Sequence, residues 1–216
     1  MMAILSQCLP LFGQRVETRQ GNVYYINANR TVQISSGGMD SDPSLSFDGG
    51  SVIFVRRTLV PAGFEEPTEP NPVQTQIWTA NIHGASEPKM VFAGPVKVGD
   101  SEYATFSEPK LAVDNRHAYF LIHYAVVEFG LIRVDLANGH AQLISGALQW
   151  DVIRQGRYAG DLVVQKRKPV GDGITDFFWL LTPEGKEIGF VGQSEEEAQE
   201  FLRSPSRALH KNPPVR

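Results

Sequence analysis

The sequence holds one cysteine, Cys8, among its 216 residues. A single thiol cannot form an internal disulfide, which excludes a disulfide-stabilised scaffold and gives no sign of an oxidising compartment. No apolar run approaches the roughly 20 residues that a membrane-spanning helix needs. The apolar stretch MMAILSQCLPLFGQR (1–15) has no basic residue before its apolar part, unlike a secretory leader. We therefore expect a cytoplasmic chain, or a periplasmic one if a leader has been removed.

Charge is also sparse, and its balance is slightly acidic. The chain has 20 Lys and Arg against 24 Asp and Glu, a formal net charge of −4. The basic residues are scattered instead of banded, which argues against a nucleic-acid partner. The hydrophobic content of 42%, together with 20 Gly and 14 Pro, is typical of a globular protein with many turns.

Recognisable catalytic and metal-binding motifs are missing. The sequence has no Gly-x-Ser-x-Gly nucleophile turn and no Gly-rich phosphate loop. The five histidines have no zinc-site spacing, and GDGITD (171–176) lacks the alternating acidic ligands of a calcium loop. We therefore predict no catalytic residue, no metal and no cofactor.

What the sequence does contain is repetition. The segment DPSLSFDGGSVIFV (42–55) matches EPKLAVDNRHAYFL (108–121) at one offset of 66 (109 − 43). Proline starts a strand where no ladder donor is needed, and Asp followed by Gly or Asn forms a hairpin turn. The matched landmarks are Pro43, Asp48, Gly49 and Phe54 in the first copy, and Pro109, Asp114 and Phe120 in the second.

A second hairpin unit recurs with its turns at Asn29, Gly84, Gly139 and Gly185. The turns step by 55, 55 and 46 residues (84 − 29, 139 − 84, 185 − 139). A period near fifty with about four short strands per copy is typical of propeller blades. The predicted fold is all-β, a propeller-like array of about four antiparallel blades over 14–38, 42–94, 107–146 and 148–192. A two-sheet sandwich of hairpins is the alternative.

The repeat resembles that of the TolB-like, WD40-like β-propellers, whose blade reads approximately Pro-x-Trp-Ser-Pro-Asp-Gly-x-x-Ile-Ala-Phe. Pro43, Ser46, Asp48, Gly49, Ile53 and Phe54 match it, whereas Leu45 and Leu111 stand where the family has Trp. The resemblance covers 36–146. It implies a bacterial propeller that serves as a binding platform, although four copies are fewer than the family's usual ring of six.

The domain boundaries follow from these patterns. Residues 1–193 are expected to form the propeller-like domain, and 205–216 a flexible tail. Between them, 194–204 are predicted to form a capping helix, because Ser194 and Glu197 make a capping box. Ala198, Phe201 and Leu202 then form an apolar stripe at helical spacing.

The long insertion TLVPAGFEEPTEPNPVQTQ (58–76) is the feature that folding explains least. Loops of this length are usually functional or disordered, so we predict a protein partner at this insertion and at the connecting segment 94–109. The proposed contact residues are Phe64, Glu65, Glu66, Glu69, Tyr103 and Phe106.

The leading hypothesis is a non-catalytic binding module, in a specific form an inhibitor or immunity-type protein. One alternative is a hydrolase of glycans or peptides, with acids converging at the blade axis (Glu65, Glu66, Asp172 and Asp176). A further alternative is a homo-oligomer formed by pairing of open end blades. No membrane insertion is expected.

Overall fold

The described residues form one three-stranded sheet, three four-stranded sheets and a two-stranded hairpin. The computed structural model describes residues 13–59, 73–83, 87–125, 128–170, 173–205 and 209. The first sheet has the antiparallel order β1-β2-β3, formed by β1 (Arg15–Arg19), β2 (Asn22–Ile26) and β3 (Thr31–Gln33). The β2–β3 turn is held by the Asn27 side chain, whose Oδ1 accepts hydrogen bonds from the N–H groups of Asn29 and Arg30.

Three further sheets each have four strands that follow one another in chain order. The second comprises β4 (Asp40–Leu45), β5 (Ser51–Leu59), β6 (Val73–Asn81) and β7 (Lys89–Ala93). A small hairpin follows, β8 (Val96–Val98) with β9 (Ser101–Tyr103). The third sheet comprises β10 (Phe106–Leu111), β11 (His117–Ala125), β12 (Glu128–Asp135) and β13 (Ala141–Ala147). The fourth comprises β14 (Gln149–Val152), β15 (Leu162–Val170), β16 (Gly173–Leu181) and β17 (Glu187–Gly192).

This organisation confirms the predicted fold class, because four consecutive strands per sheet are the unit of a propeller blade. The described residues divide into two compact units. One contains 13–124 and 132–143, and the other contains 125–131 and the residues from 144 onward.

The two copies of the repeat occupy equivalent places in their sheets. In β4 the pairing with β5 shifts register between Ser41 and Ser44, and in β10 the pairing with β11 shifts between Ser107 and Lys110. The residue before each proline, Asp42 or Glu108, has the same φ of 50°. Each proline therefore lies in a bulge, where its missing N–H removes no ladder bond. A sandwich gives no reason for such matched irregularities.

The two copies of the repeat also share the geometry of their hairpin turns. Asp48 Oδ1 accepts hydrogen bonds from the Ser46 hydroxyl (2.6 Å) and the Gly50 N–H (2.9 Å). The Ser46 bond is the main reason that the pKa of Asp48 is lowered. Asp114 accepts in the same way from the N–H groups of Arg116 and His117. Both acids are thus turn-forming residues, as expected from their place before Gly or Asn.

The core explains why β5 carries apolar side chains on both faces. Val52 and Phe54 pack with Val23 and Tyr25 of the first sheet, in a cluster that also contains Ala80 and Ile82. The alternate residues Ile53 and Val55 pack in a second cluster with side chains of the third sheet (Leu111, Ala118, Phe120, Ile122, Ile132 and Val134). A strand covered on both sides needs an apolar run instead of alternation.

The C-terminal helix α1 spans Glu195–Arg203, which confirms the predicted short helix. Ser194 and Glu197 form the capping box, and the buried stripe is Ala198, Phe201 and Leu202. The stripe packs against the fourth sheet and the segment after β14, in a cluster with Ile153, Val163, Phe178, Leu180 and Val191. Among the described residues, no helix is long and apolar enough to span a membrane.

The repeat turn makes a stability prediction. Gly49 has a φ of 69°, and a Cβ there would meet the Gln14 side chain, whereas the neighbouring Gly50 has no positive φ. Gly49→Ala should lower the free energy of unfolding by about 1–2 kcal/mol, since an L-residue is strained in the left-handed region. Gly50→Ala is the matched control and should lower the free energy of unfolding by a smaller amount. Urea unfolding followed by tryptophan fluorescence measures both, and equal losses would contradict the turn assignment.

Candidate functional site

The long insertion leaves the second sheet at the end of its longest hairpin. Strands β5 and β6 pair without interruption from Ser51 with Asn81 to Leu59 with Val73. Leu59 is 70% exposed, a high value for a large apolar side chain. Four proposed contact residues follow Leu59 and lie outside the described residues, namely Phe64, Glu65, Glu66 and Glu69.

A single threonine joins the two segments proposed to meet a partner. Thr75, on β6, is buried, and its N–H donates to the Ala104 carbonyl at 2.9 Å. The Thr75 hydroxyl oxygen accepts the N–H of Phe106. These bonds therefore hold β6 against the segment that follows β9. We call Leu59 together with the β8–β9 hairpin (96–103) the rim surface.

The two aromatic residues predicted on the connecting segment are placed differently from expectation. Phe106 is only 2% exposed and packs against Phe92 and Phe120, with ring centroids 5.5 and 4.8 Å away. Tyr103 is half-buried against the same cluster. Phe106 thus lacks the free surface that a partner contact needs and serves the core. The exposed side chains of the β8–β9 hairpin are polar: Lys97, Asp100, Ser101 and Glu102.

A groove of about 820 Å³ lies beside the facing first and second sheets. We call it the inter-sheet groove. Ligand sites commonly have volumes of about 300–1,000 Å³, so the groove is large enough for a binding role. Its lining combines apolar and polar side chains: Val32, Gln33, Ile34, Ser35, Ser36, Gly37, Arg56, Trp78, Ala80, Asn81, Ile82, Glu87 and Pro88.

Arg56 is the fixed charged group of this groove. Its Nε and Nη2 atoms donate to the two carboxylate oxygens of Asp40 at 2.6 and 2.9 Å. The guanidinium lies over the Trp78 ring at 4.2 Å, with Gly37 also close to it. The hydrogen bond that Arg56 donates to Asp40 is the main cause of the raised pKa of Arg56, and the Asp40 side chain is fully buried.

Of the acids suspected of catalysis, Asp176 alone lies among the described residues. Asp176 pairs with Arg167 at 3.2 Å, while Glu65, Glu66 and Asp172 lie outside the described residues. In the part of the chain that is described, no group of three or more His, Cys, Asp or Glu could hold a metal ion.

One acid has a pKa shifted in the direction that suits a general acid. Burial, and then the charge of Glu184, raises the pKa of Asp161. Nothing in the sequence pattern marked this residue.

Solved structures share this fold over most of the chain. TolB from Acinetobacter baumannii aligns with a TM-score of 0.50 and 11% identity, covering 81% of this chain and 38% of its own. The chain has the TolB-like propeller fold. Dipeptidyl peptidase 4 from Porphyromonas gingivalis aligns at 0.51 and 14% identity, covering 86% of this chain and 32% of its own. An oligogalacturonate lyase from Vibrio parahaemolyticus aligns at 0.50 and 14% identity, covering 81% and 47%.

These likenesses concern the fold alone, because the identities are so low. This TolB-like chain spans about a third to a half of the length of those structures. A search against models of protein families finds no match, and a search of curated proteins finds none either.

The Arg56–Asp40 pair makes a prediction about the groove. Arg56→Gln leaves a buried carboxylate without its cation, so it should lower the free energy of unfolding by about 3–5 kcal/mol. The neighbouring Arg57 is exposed, and Arg57→Gln should change stability by about 0.5 kcal/mol or less. Adding Asp40→Asn to Arg56→Gln should recover part of the loss. Chemical unfolding measures the free energy of unfolding of the three variants. A value for Arg56→Gln equal to that of the wild type would refute the pairing.

Proposed function

We propose that this TolB-like propeller is a non-catalytic binding module that contacts a protein partner through the rim surface and the adjoining insertion. The observation that carries the proposal is the hydrogen-bonded joint at Thr75, which holds β6, the strand that follows the insertion, against the segment that follows β9. A buried joint fixes the base of the insertion. Less conformational freedom is then lost when a partner binds.

The chemistry of the rim surface supports a protein partner. Leu59 is an exposed apolar side chain, and Lys97, Asp100 and Glu102 on β8–β9 supply exposed charges of both signs. Protein interfaces commonly combine an apolar centre with a polar rim. The insertion contributes Phe64, Glu65, Glu66 and Glu69 to this proposal, and the half-buried Tyr103 completes the set.

An inhibitor or immunity-type role is the specific form that we favour. Such a protein blocks another protein and needs no chemistry of its own. A small, acidic chain that carries a long Pro- and Glu-containing insertion fits this role.

The experiment is a capture of partners from the cells that encode the protein. Residues 60–72 are replaced by Asn-Gly, because the Leu59–Val73 register matches a two-residue hairpin turn. The replacement should keep the fold, seen by circular dichroism, and lose the partner.

A matched pair of single substitutions sharpens this experiment. Leu59 and Ile174 are both 70% exposed, but only Leu59 belongs to the rim surface. Leu59→Ser should weaken capture and Ile174→Ser should not. Full capture by both the replacement variant and Leu59→Ser would overturn the proposal. Light scattering of the purified chain shows whether the partner is another copy.

Hydrolysis of a glycan or peptide is the second candidate, and the raised pKa of Asp161 favours it. An acid whose pKa is raised keeps its proton to a higher pH, and a protonated carboxyl group can donate that proton to a leaving group. If this candidate is correct, a broad hydrolase screen of the wild type should show a turnover that Asp161→Asn abolishes.

The same substitution has a stability signature that does not depend on turnover. Because the folded-state pKa of Asp161 is raised, its contribution to stability is complete below the ordinary pKa and is lost as pH rises through the raised pKa. Asn mimics the protonated acid. Asp161→Asn should therefore be more stable than wild type at neutral pH, and the gain should vanish in acid. Thermal unfolding at several pH values tests this, and a gain that is independent of pH would contradict the shift.

A further inference from the structure

Among the described residues, no strand pairs with the outer edge of β3. In the order β1-β2-β3, β3 pairs only with β2. The pairing register is Tyr24 with Gln33, Tyr25 with Val32 and Ile26 with Thr31. Two hydrogen bonds show which paired positions of β2 and β3 are hydrogen-bonded. Ile34 N–H donates to the Val23 carbonyl, and Asn27 N–H donates to the Arg30 carbonyl.

It follows that Val32 exchanges hydrogen bonds with β2, while Thr31 and Gln33 do not. In an antiparallel pair the hydrogen-bonded positions alternate, so the N–H and C=O groups of Thr31 and Gln33 point away from β2. Within the described residues, no backbone partner is found for these four groups. They present the donor and acceptor pattern that another strand requires.

The inter-sheet groove meets β3 along this edge. Val32, Gln33 and Ile34 are consecutive and all three line the groove, so the groove follows β3 and the residue after it. The second sheet contributes the apolar side chains of Ala80 and Ile82 to the groove.

Arg56 adds a directed donor to the same groove. A guanidinium has five N–H groups, and Asp40 occupies those of Nε and one of Nη2. The remaining donors have no hydrogen-bond partner among the described residues, and the side chain is 21% exposed. Asp40 offsets the positive charge, so these donors suit a neutral carbonyl better than a free anion.

We propose that the inter-sheet groove binds an extended peptide segment of a protein partner, which adds to the first sheet as a strand beside β3. The segment's backbone pairs with Thr31 and Gln33, and one of its carbonyls accepts from Arg56. An apolar side chain of the segment fills the space over Ala80 and Ile82. This mode of recognition combines main-chain hydrogen bonds for affinity with a pocket for specificity. It deepens the proposed function, because it assigns the partner a second point of contact.

A displayed library of random peptides, selected on the immobilised full chain, supplies the probes. Selected sequences are made as synthetic peptides, and their affinity is measured by fluorescence anisotropy. Gln33→Pro removes the edge-facing backbone N–H, and proline is tolerated on edge strands. Gln33→Ala keeps that N–H and is the matched control, because both variants lose the bond from Gln33 Nε2 to the Ser35 carbonyl.

Gln33→Pro should weaken peptide binding about tenfold or more, and Gln33→Ala should leave it within about twofold. Amide exchange at Thr31 and Gln33 should slow when the peptide binds to the wild type. Failure to select any peptide, or equal binding by the two Gln33 variants, would overturn the proposal. So would binding of neutral oligosaccharides that Trp78→Ala removes. The rim surface is untouched by these changes, so the capture experiment with residues 60–72 replaced reports on the proposed function separately.

Discussion

Burial of the second strand of each full sheet on both faces is the constraint on which the structure depends. Val52–Val55 in β5, Ala118–Ile122 in β11 and Leu162–Val164 in β15 are all buried. Because no single sheet can cover both faces of its own strand, each sheet needs something on either side. For β5 the neighbours are the first and third sheets, and for the outer face of β15 the cover is helix α1. The first sheet differs from the three full sheets, since in its strand β2 the buried residues Val23 and Tyr25 alternate with half-exposed residues.

The features proposed for binding are the insertion between β5 and β6 and the inter-sheet groove beside β3. The insertion follows a hairpin that pairs every residue from Ser51 to Leu59. The inter-sheet groove lies beside the three-residue edge strand β3. A shared propeller fold can therefore serve binding in one protein and catalysis in another, because function depends on such sites more than on the blades.

The repeat was predictable from the sequence because its landmarks are local. Proline in a bulge, Asp before a left-handed residue and a two-faced apolar strand all leave their mark within about fourteen residues of chain. The stripe of α1 was predictable for the same reason. The groove was not, because it combines Asp40, Arg56 and Trp78 with the edge of another sheet, and no short-range pattern encodes that meeting. Phe106 illustrates the opposite case: its segment reads as a surface connection, yet the ring fills the space between Phe92 and Phe120.

Native-state amide hydrogen exchange of the wild-type chain tests the central constraint most directly. If the second strands are covered on both faces, the amides of Val52–Val55, Ala118–Ile122 and Leu162–Val164 should be the slowest in the chain. They should exchange only through the largest unfolding events, more slowly than the edge strands β3 and β7. Rapid exchange in any of the three segments, at rates like those of β3, would contradict the account.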